Sequence, residues 1–511
     1  MSTTPDLESF KKISAQHPGK LIPVSRTFLA DTLTPVAAFR RLADSAHGFL
    51  LESVERGERV GRYSFVGAAP EIVFYGEVLP EPTFRIVHAD GRVEEGRGDP
   101  LAKLESYIAA HPALAPDAAL GVPPFAGGAV GYLGYDIVRL FEPRLLNKPP
   151  KRHAIAGVPD VLVPVYRTIV AFDHVKNAVF AVHHADPRVG GAQAAYAQAE
   201  AALAVVAAKL AAPMPDPLSE MVPSATAHEE NLVSNMTPEQ YIAAVLQAKE
   251  FIAAGDIIQV VLSQRMTKTI AAPPFEVYRS LRAINPSPYM FYLKNPTVHI
   301  VGSSPEIMVR LEDGLLTVRP IAGTRPRGRT PAEDAALAKD LLADQKEIAE
   351  HVMLLDLGRN DVGRVSRYGS VQVTERLTIE QYSHVMHIVS NVTGILDGQR
   401  SAFDVLRACH PAGTVSGAPK IRAMEIIDQL EPDSRGPYAG AVGVIDLRGN
   451  LNTAIALRTF FIVPKGTLWE AHIQAGAGIV ADSVPRAEYE ETRNKARALL
   501  RSLDAAEARR A

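Results

Sequence analysis

Residues 470–508 read EAHIQAGAGIVADSVPRAEYEETRNKARALLRSLDAAEA. Over 470–480 the pattern is that of a strand, and after a start signal at Ser483 to Pro485 the rest carries the charge and strong helix formers of a long helix. The same two textures recur upstream. IIQVVLSQRM (257–266), TVHIVGSSP (297–305), GAVGVIDLRG (440–449) and LNTAIALRTFFIV (451–463) read as strands, whereas EDAALAKDLLADQKEIAEHVMLLDLGRND (333–361) reads as helix. Strands and helices mix without a strict strand–helix–strand rhythm, which predicts an α+β fold.

The first half is strand-rich. YSFVGAAPEIVFYG (63–76), TFRIVHADGRVEEG (83–96) and VYRTIVAFDHVKNAVFAVHHA (165–185) alternate β-branched or aromatic residues with polar ones between Gly, Asn and Asp turns. An Ala-dominated helix is expected over Gly191 to Leu210, followed by a Pro-rich polar linker from Pro213 to Asn231. The expected organisation is a strand-rich lobe over 15–185, a helix and linker over 186–231, and a second domain over 232–505. That domain opens on Thr237-Pro238-Glu239-Gln240, a helix-start signature, and Gly255 ends the helix.

With 511 residues, 47% hydrophobic and 22% charged, and 54 Lys+Arg against 57 Asp+Glu, nothing favours a polyanionic partner. No apolar run is expected to cross a bilayer. The single Cys409 excludes an internal disulfide, and the N-terminus lacks a signal-peptide layout, so the expected compartment is the reducing cytoplasm.

Several residues invite chemistry. Glu347 and Glu350, like Glu488 and Glu491, sit three apart in expected helices and so share a face. Two such pairs could hold magnesium, although from spacing alone a solvated face partnered by Lys346, Arg493 and Lys495 is the commoner outcome. Glycine clusters at 127–136, 321–328, 411–420, 438–443 and 474–485 read either as tight turns or as backbone cradles for a small anion. His384 and His387 stand three apart in a stretch that turns strand-like, where a satisfied core histidine is the ordinary reading. Arg458, in the apolar strand AIALRTFF, requires an anionic partner if buried.

Taken in order, IIQVVLSQR, SSPE, RPIAGTRPRG, KEIAEHVMLLDLGRND, YSHVMHIVSNVTG, HPAGTVSGAPKIRAMEII, GPYAGAVG, ALRTFF and QAGAGIVADSVPRAEYEET resemble the chorismate-utilising enzymes. The likeness spans about 230–505, and FLLESVERGERVGRYSFVG (49–67) resembles the matching N-terminal region. The resemblance implies two interleaved lobes of mainly antiparallel sheet with helices packed outside. It makes Glu350 and Glu491 magnesium ligands, with Glu347 and Glu488 touching the ion directly or through water. Arg458 with Tyr438 would hold the enolpyruvyl carboxylate of chorismate. The Gly323 and Thr324 backbone and a loop of Gly476, Ala477 and Gly478 would complete the cradle, with Thr414 and Lys495 as further contacts.

Two positions bear on the branch of the family. Members that add water carry a lysine base where Gln259 stands, and members that make aminodeoxychorismate carry a nucleophilic lysine where Ala322 stands. The resemblance therefore implies the anthranilate-forming branch: ammonia adds at C2, Glu306 protonates the departing C4 hydroxyl, and His387 assists loss of the C2 proton with expulsion of pyruvate. Aminodeoxychorismate formation and a non-catalytic tryptophan-sensing subunit are the rivals. No glutaminase triad is present, so a separate glutamine amidotransferase subunit and a hetero-oligomer are implied. Leu50-Leu51-Glu52-Ser53 and the 285–290 segment, with Pro288, Tyr289 and Met290, resemble the two halves of a tryptophan feedback site.

Overall fold

The computed structural model describes residues 3–29, 31–53, 61–115, 121–146, 151, 155–213, 229–382 and 385–509. His384 lies outside the described residues.

Among the described residues the strands form two 12-stranded antiparallel sheets, and each is shared by both halves of the chain. In the first sheet the N-terminal strands end on Gly48–Glu52, which pairs with Tyr289–Lys294; beyond it lie His299–Ser304, Thr459–Lys465, Leu468–Ile479 and Gln259–Ile270. In the second sheet the seam is Gly128–Leu133 against Ala441–Asp446. Each sheet thus takes strands from both sides of the segment 186–231.

Period-2 patterning explains how the sheets pack. Phe49 and Phe291 belong to one large core, with Tyr132, Tyr166 and Val442 of the other sheet. Their chain neighbours Leu50, Met290 and Tyr292 face the opposite way, into a second cluster. There the helices Leu7–Gln16, Pro35–Leu42, Gly191–Ala211, Pro274–Ile284 and Pro485–Ala508 contribute Phe10, Phe39, Leu203, Leu281 and Leu503. The architecture is the expected α+β fold, with antiparallel sheets and helices outside.

Four local expectations need correction. The first half holds the helices Leu7–Gln16, Pro35–Leu42 and Pro100–Ala110 as well as strands. The expected helix over 333–361 is two, Pro331–Ala343 and Gln345–Gly363, because the Asp344 side chain accepts from the Lys346 and Glu347 amides and starts a new helix. Among the described residues the helix Gly191–Ala211 is long and apolar enough by composition to cross a membrane, contrary to the sequence expectation. Its Ala195, Tyr196, Ala199 and Leu203 nevertheless pack into the cluster beside strand Ala178–Ala185. Finally, the glycine stretches 127–136 and 321–328 lie largely in the strands Gly128–Leu133 and Ile321–Pro326, while 474–485 is strand only as far as Ile479, as its pattern predicted. At helix Pro238–Ala253 the expected start is observed as a capping box between Thr237 and Gln240.

Candidate active site

Gln259 begins the long strand Gln259–Ile270, whose register sets Val261 against Gly478 and Ser263 against Gly476. The segment Gly476 to Gly478, a loop by the family resemblance but part of a strand by its pattern, is the end of strand Leu468–Ile479, and its glycines serve by lacking a Cβ. A Cβ at Gly478 would stand 2.7 Å from Gln259 Nε2, and one at Gly476 2.9 Å from the Tyr438 hydroxyl. Ala477 alternates to the other face and packs in an apolar cluster with Val260 and Leu262.

The four glutamates come from two helices, as their spacing implied. Gln259 Nε2 donates to Glu350 Oε1 at 3.2 Å, and among the described residues Gln259 Oε1 is buried without a partner. Burial pushes the Glu350 carboxyl above its ordinary range, the Gln259 hydrogen bond opposes this, and the like charges of Glu347 and Glu491 push it further up. Glu488 is raised by burial and by Glu491, against a hydrogen bond from Ser483. The carboxylates of both helices therefore feel one another. Lys495 Nζ bridges Glu491 Oε1 at 2.7 Å and the Gly476 carbonyl at 2.9 Å. Among the described residues no three His, Cys, Asp or Glu side chains converge into a ready-made cation cage.

Glu306 comes from the turn between strands His299–Ser304 and Ile307–Glu312. It is buried, and burial raises its carboxyl to about 8, with the neighbouring Thr414 hydroxyl and Arg458 guanidinium pulling the other way. Thr414 Oγ1 is itself buried and makes no hydrogen bond of ordinary geometry. Glu306 thus holds its proton at neutral pH.

Arg458 departs from its expected place inside a strand. It stands in the break between Leu451–Ile455 and Thr459–Lys465 with φ 48, a left-handed conformation that costs a non-glycine residue about 1 kcal/mol. The Ser303 amide donates to its carbonyl at 3.1 Å. Among the described residues no carboxylate forms an ion pair with the guanidinium, which burial disfavours as a cation and the charges of Glu306 and Tyr382 favour. A half-buried guanidinium in this state suits a ligand carboxylate.

His387 faces Thr324 across the pairing of Ile321–Pro326 with Val385–Ile395. Its Nδ1 lies 3.0 Å from the Gly323 carbonyl and 3.1 Å from Thr324 Oγ1. A carbonyl only accepts, so Nδ1 carries the hydrogen and Nε2 is left with the lone pair of a base. Burial lowers the imidazole's proton affinity and keeps it neutral. Gly323, at φ 72, takes a backbone state that favours glycine, and its carbonyl fixes the His387 tautomer. Ala322 pairs with Ile388 in the same strands.

Sequence reasoning missed two residues here. Arg325 donates to Asp340, Asp344 and Glu347, so it anchors the first turn of the Glu350 helix. Tyr382 sets its ring edge against His387, with centroids 5.5 Å apart. Arg325 lies inside the RPRG stretch, but only the fold discloses its partners. Cys409 is buried, and burial pushes its thiol far up, which removes it as a nucleophile.

The two segments expected to form a feedback site are adjacent strands, with Glu52 opposite Met290 and Leu51 opposite Phe291. Glu52 accepts from the Tyr278 hydroxyl at 2.6 Å and from Arg282 at 2.8 and 3.0 Å, so its charge is already neutralised. Among the described residues Ser53 Oγ is buried without a partner, and Pro288 is buried beside Tyr289.

Comparison with known proteins identifies the family. The profile of the chorismate binding enzyme family matches residues 49–501. The anthranilate synthase component 1 of Pseudomonas aeruginosa is 48% identical over 503 residues, covering 98% of this chain and 99% of that one. The crystal structure of anthranilate synthase component I from Streptococcus pneumoniae superposes with a TM-score of 0.74 at 36% identity, covering 93% and 99% of the two chains. The menaquinone-specific isochorismate synthase of Escherichia coli shares the fold at 19% identity, with a TM-score of 0.68 over 97% and 98%. Matched along nearly its whole length and carrying the geometry just described, the chain belongs to the chorismate binding enzyme family, in the group of the anthranilate synthase component 1 proteins.

Proposed function

We propose that this chain aminates chorismate at C2 with ammonia and releases water and pyruvate to leave anthranilate. The observation that carries the reading is the buried Glu306 carboxyl, whose burial raises its proton affinity, near an Arg458 guanidinium that forms no ion pair among the described residues. Arg458 and Tyr438 bind the enolpyruvyl carboxylate, and Glu306 gives its proton to the departing C4 hydroxyl as ammonia bonds to C2. His387 Nε2 then takes the C2 proton while the enolpyruvyl group leaves and the ring becomes aromatic. Gln259 and Ala322 supply neither a base for water nor an amine for a covalent route, which separates this chain from water-adding and aminodeoxychorismate-forming enzymes.

Mutual repulsion among Glu347, Glu350 and Glu491 fits a cation between the two helices, where magnesium takes one or two carboxylates and completes its shell with water and substrate. When bound there, the ion supplies positive charge for the ring carboxylate of chorismate. Ammonia comes from a separate glutamine amidotransferase subunit in a hetero-oligomer, since the only thiol is inert. Tryptophan binds at the junction of Ser53 with 285–290 and inhibits turnover. The test is fluorescent product formation from chorismate and ammonium salt, with and without magnesium. Anthranilate formed only with the metal supports the proposal; an aminodeoxychorismate product, or no turnover, refutes it.

A further inference from the structure

The feedback segment and the substrate-binding arginine are joined by one buried residue. Strand His299–Ser304 lies beside Tyr289–Lys294, with Ser303 opposite Met290. Ser303 is fully buried and has two ties. Its hydroxyl donates to the Asn285 carbonyl at 2.5 Å, at the start of the 285–290 segment. Its amide donates to the Arg458 carbonyl at 3.1 Å.

Both ends of this bridge are mechanically informative. Asn285 caps helix Pro274–Ile284, the helix whose Tyr278 and Arg282 grip Glu52. Asn285, the helix and Glu52 therefore form one hydrogen-bonded unit around the segment. At the other end, Arg458 is held in a left-handed conformation that it would leave without support. A shift of the Asn285 carbonyl pulls on Ser303, and a shift of Ser303 releases the backbone that aims the guanidinium. The next residue reaches the acid as well: Ser304 Oγ donates to the Ile455 carbonyl at 2.7 Å, and the Ile455 amide donates to the Glu306 carbonyl at 3.0 Å.

We propose that Ser303 is a positioning residue that couples the 285–290 segment to Arg458 through these two hydrogen bonds, so that occupancy of the feedback site changes how substrate carboxylate is held. This rests on the reading of that site as a tryptophan site. Ser303 touches neither ligand; it acts through the backbone on either side. A hydrogen bond between buried groups contributes about 1 kcal/mol, enough to change coupling between two sites about fivefold to tenfold.

The test uses the full chain with ammonia as nitrogen source and follows two readouts: tryptophan binding by equilibrium dialysis, and the tryptophan concentration that halves turnover at fixed chorismate. In Ser303→Ala, binding is expected to stay within about threefold of the parent while the half-inhibiting concentration rises about tenfold. Ser303→Thr, which keeps the hydroxyl, should restore inhibition. If Ser303→Ala does not fold, Ser303→Cys, of similar volume and with a weak donor, gives the same comparison. Inhibition unchanged in Ala or Cys, with tryptophan still bound, overturns the coupling alone. A parent chain that binds no tryptophan overturns the feedback reading and the coupling together.

Discussion

Replacing Glu306 with glutamine should make the protein inactive and more stable at once. The carboxyl is raised from 4.5 to about 8, chiefly by burial. The sign follows from proton linkage: between those values the folded chain holds a proton that the unfolded chain has released. Stability contributed by the proton is complete below 4.5 and is lost as pH rises, with the loss finished above about 8. Holding the proton at pH 7, about 2.5 pH units above the ordinary value, costs about 3 kcal/mol. Glu306→Gln has the same shape and no titration, so it removes that cost. For a chain of 511 residues this raises the melting temperature by about 3 °C at pH 7, and by little at pH 4.5. Thermal melts of both proteins at pH 4.5, 7 and 8.5 measure it, and the ammonia assay should show a fall of about 10²–10⁴-fold in turnover. A stability difference independent of pH, or a variant less stable at pH 8.5, would refute the protonated buried acid.

The other site residues give separate readouts. His387→Gln should leave amination running while the aminated intermediate accumulates, followed by chromatography of quenched reactions; full anthranilate output sinks the base assignment. Arg458→Lys exchanges a planar fork for a point charge and should raise the KM for chorismate about 10- to 100-fold with a smaller change in kcat; an unchanged KM removes Arg458 from the carboxylate. Glu350→Gln relieves repulsion from Glu347 and Glu491, so the metal-free variant should melt no lower than the parent, while magnesium stabilises it much less. Equal stabilisation of both proteins by magnesium would count against the site.

What the sequence disclosed was local. The spacing of Glu347 with Glu350 and of Glu488 with Glu491 placed each pair on one helix face, and alternation identified strands such as Gln259–Ile270. Which helix faces which strand is a tertiary fact. Gln259 reaches Glu350 only because Gly478 leaves space beside it, and no periodicity states that. Arg458 was misplaced for a related reason: AIALRTFF reads as one strand, but the chain leaves the second sheet at Leu451–Ile455 and joins the first at Thr459–Lys465, with Arg458 at φ 48 in the crossing. The glycine stretches were ambiguous because the same residue serves a turn or a close strand approach. In this fold the approach prevails, as at Gly443, where a Cβ would lie 2.1 Å from the Asn452 carbonyl oxygen.

Glu306 and Glu350 are both buried carboxyls with raised proton affinity, yet the fold leaves them with opposite needs. Glu350 accepts from Gln259 and faces like charges, so a cation would hold it ionised. For Glu306 the pull toward ionisation comes from Thr414 and Arg458, and burial outweighs both. Activity should therefore fall as pH rises through about 8, because the donor then lacks its proton. The limb belongs to the free enzyme and is read from kcat/KM at saturating magnesium. Thr414→Val removes the hydroxyl that stabilises the ionised form, so the limb should move to higher pH even as activity drops. A limb that stays in place, or moves down, means that some other group titrates there and that Glu306 is not the acid.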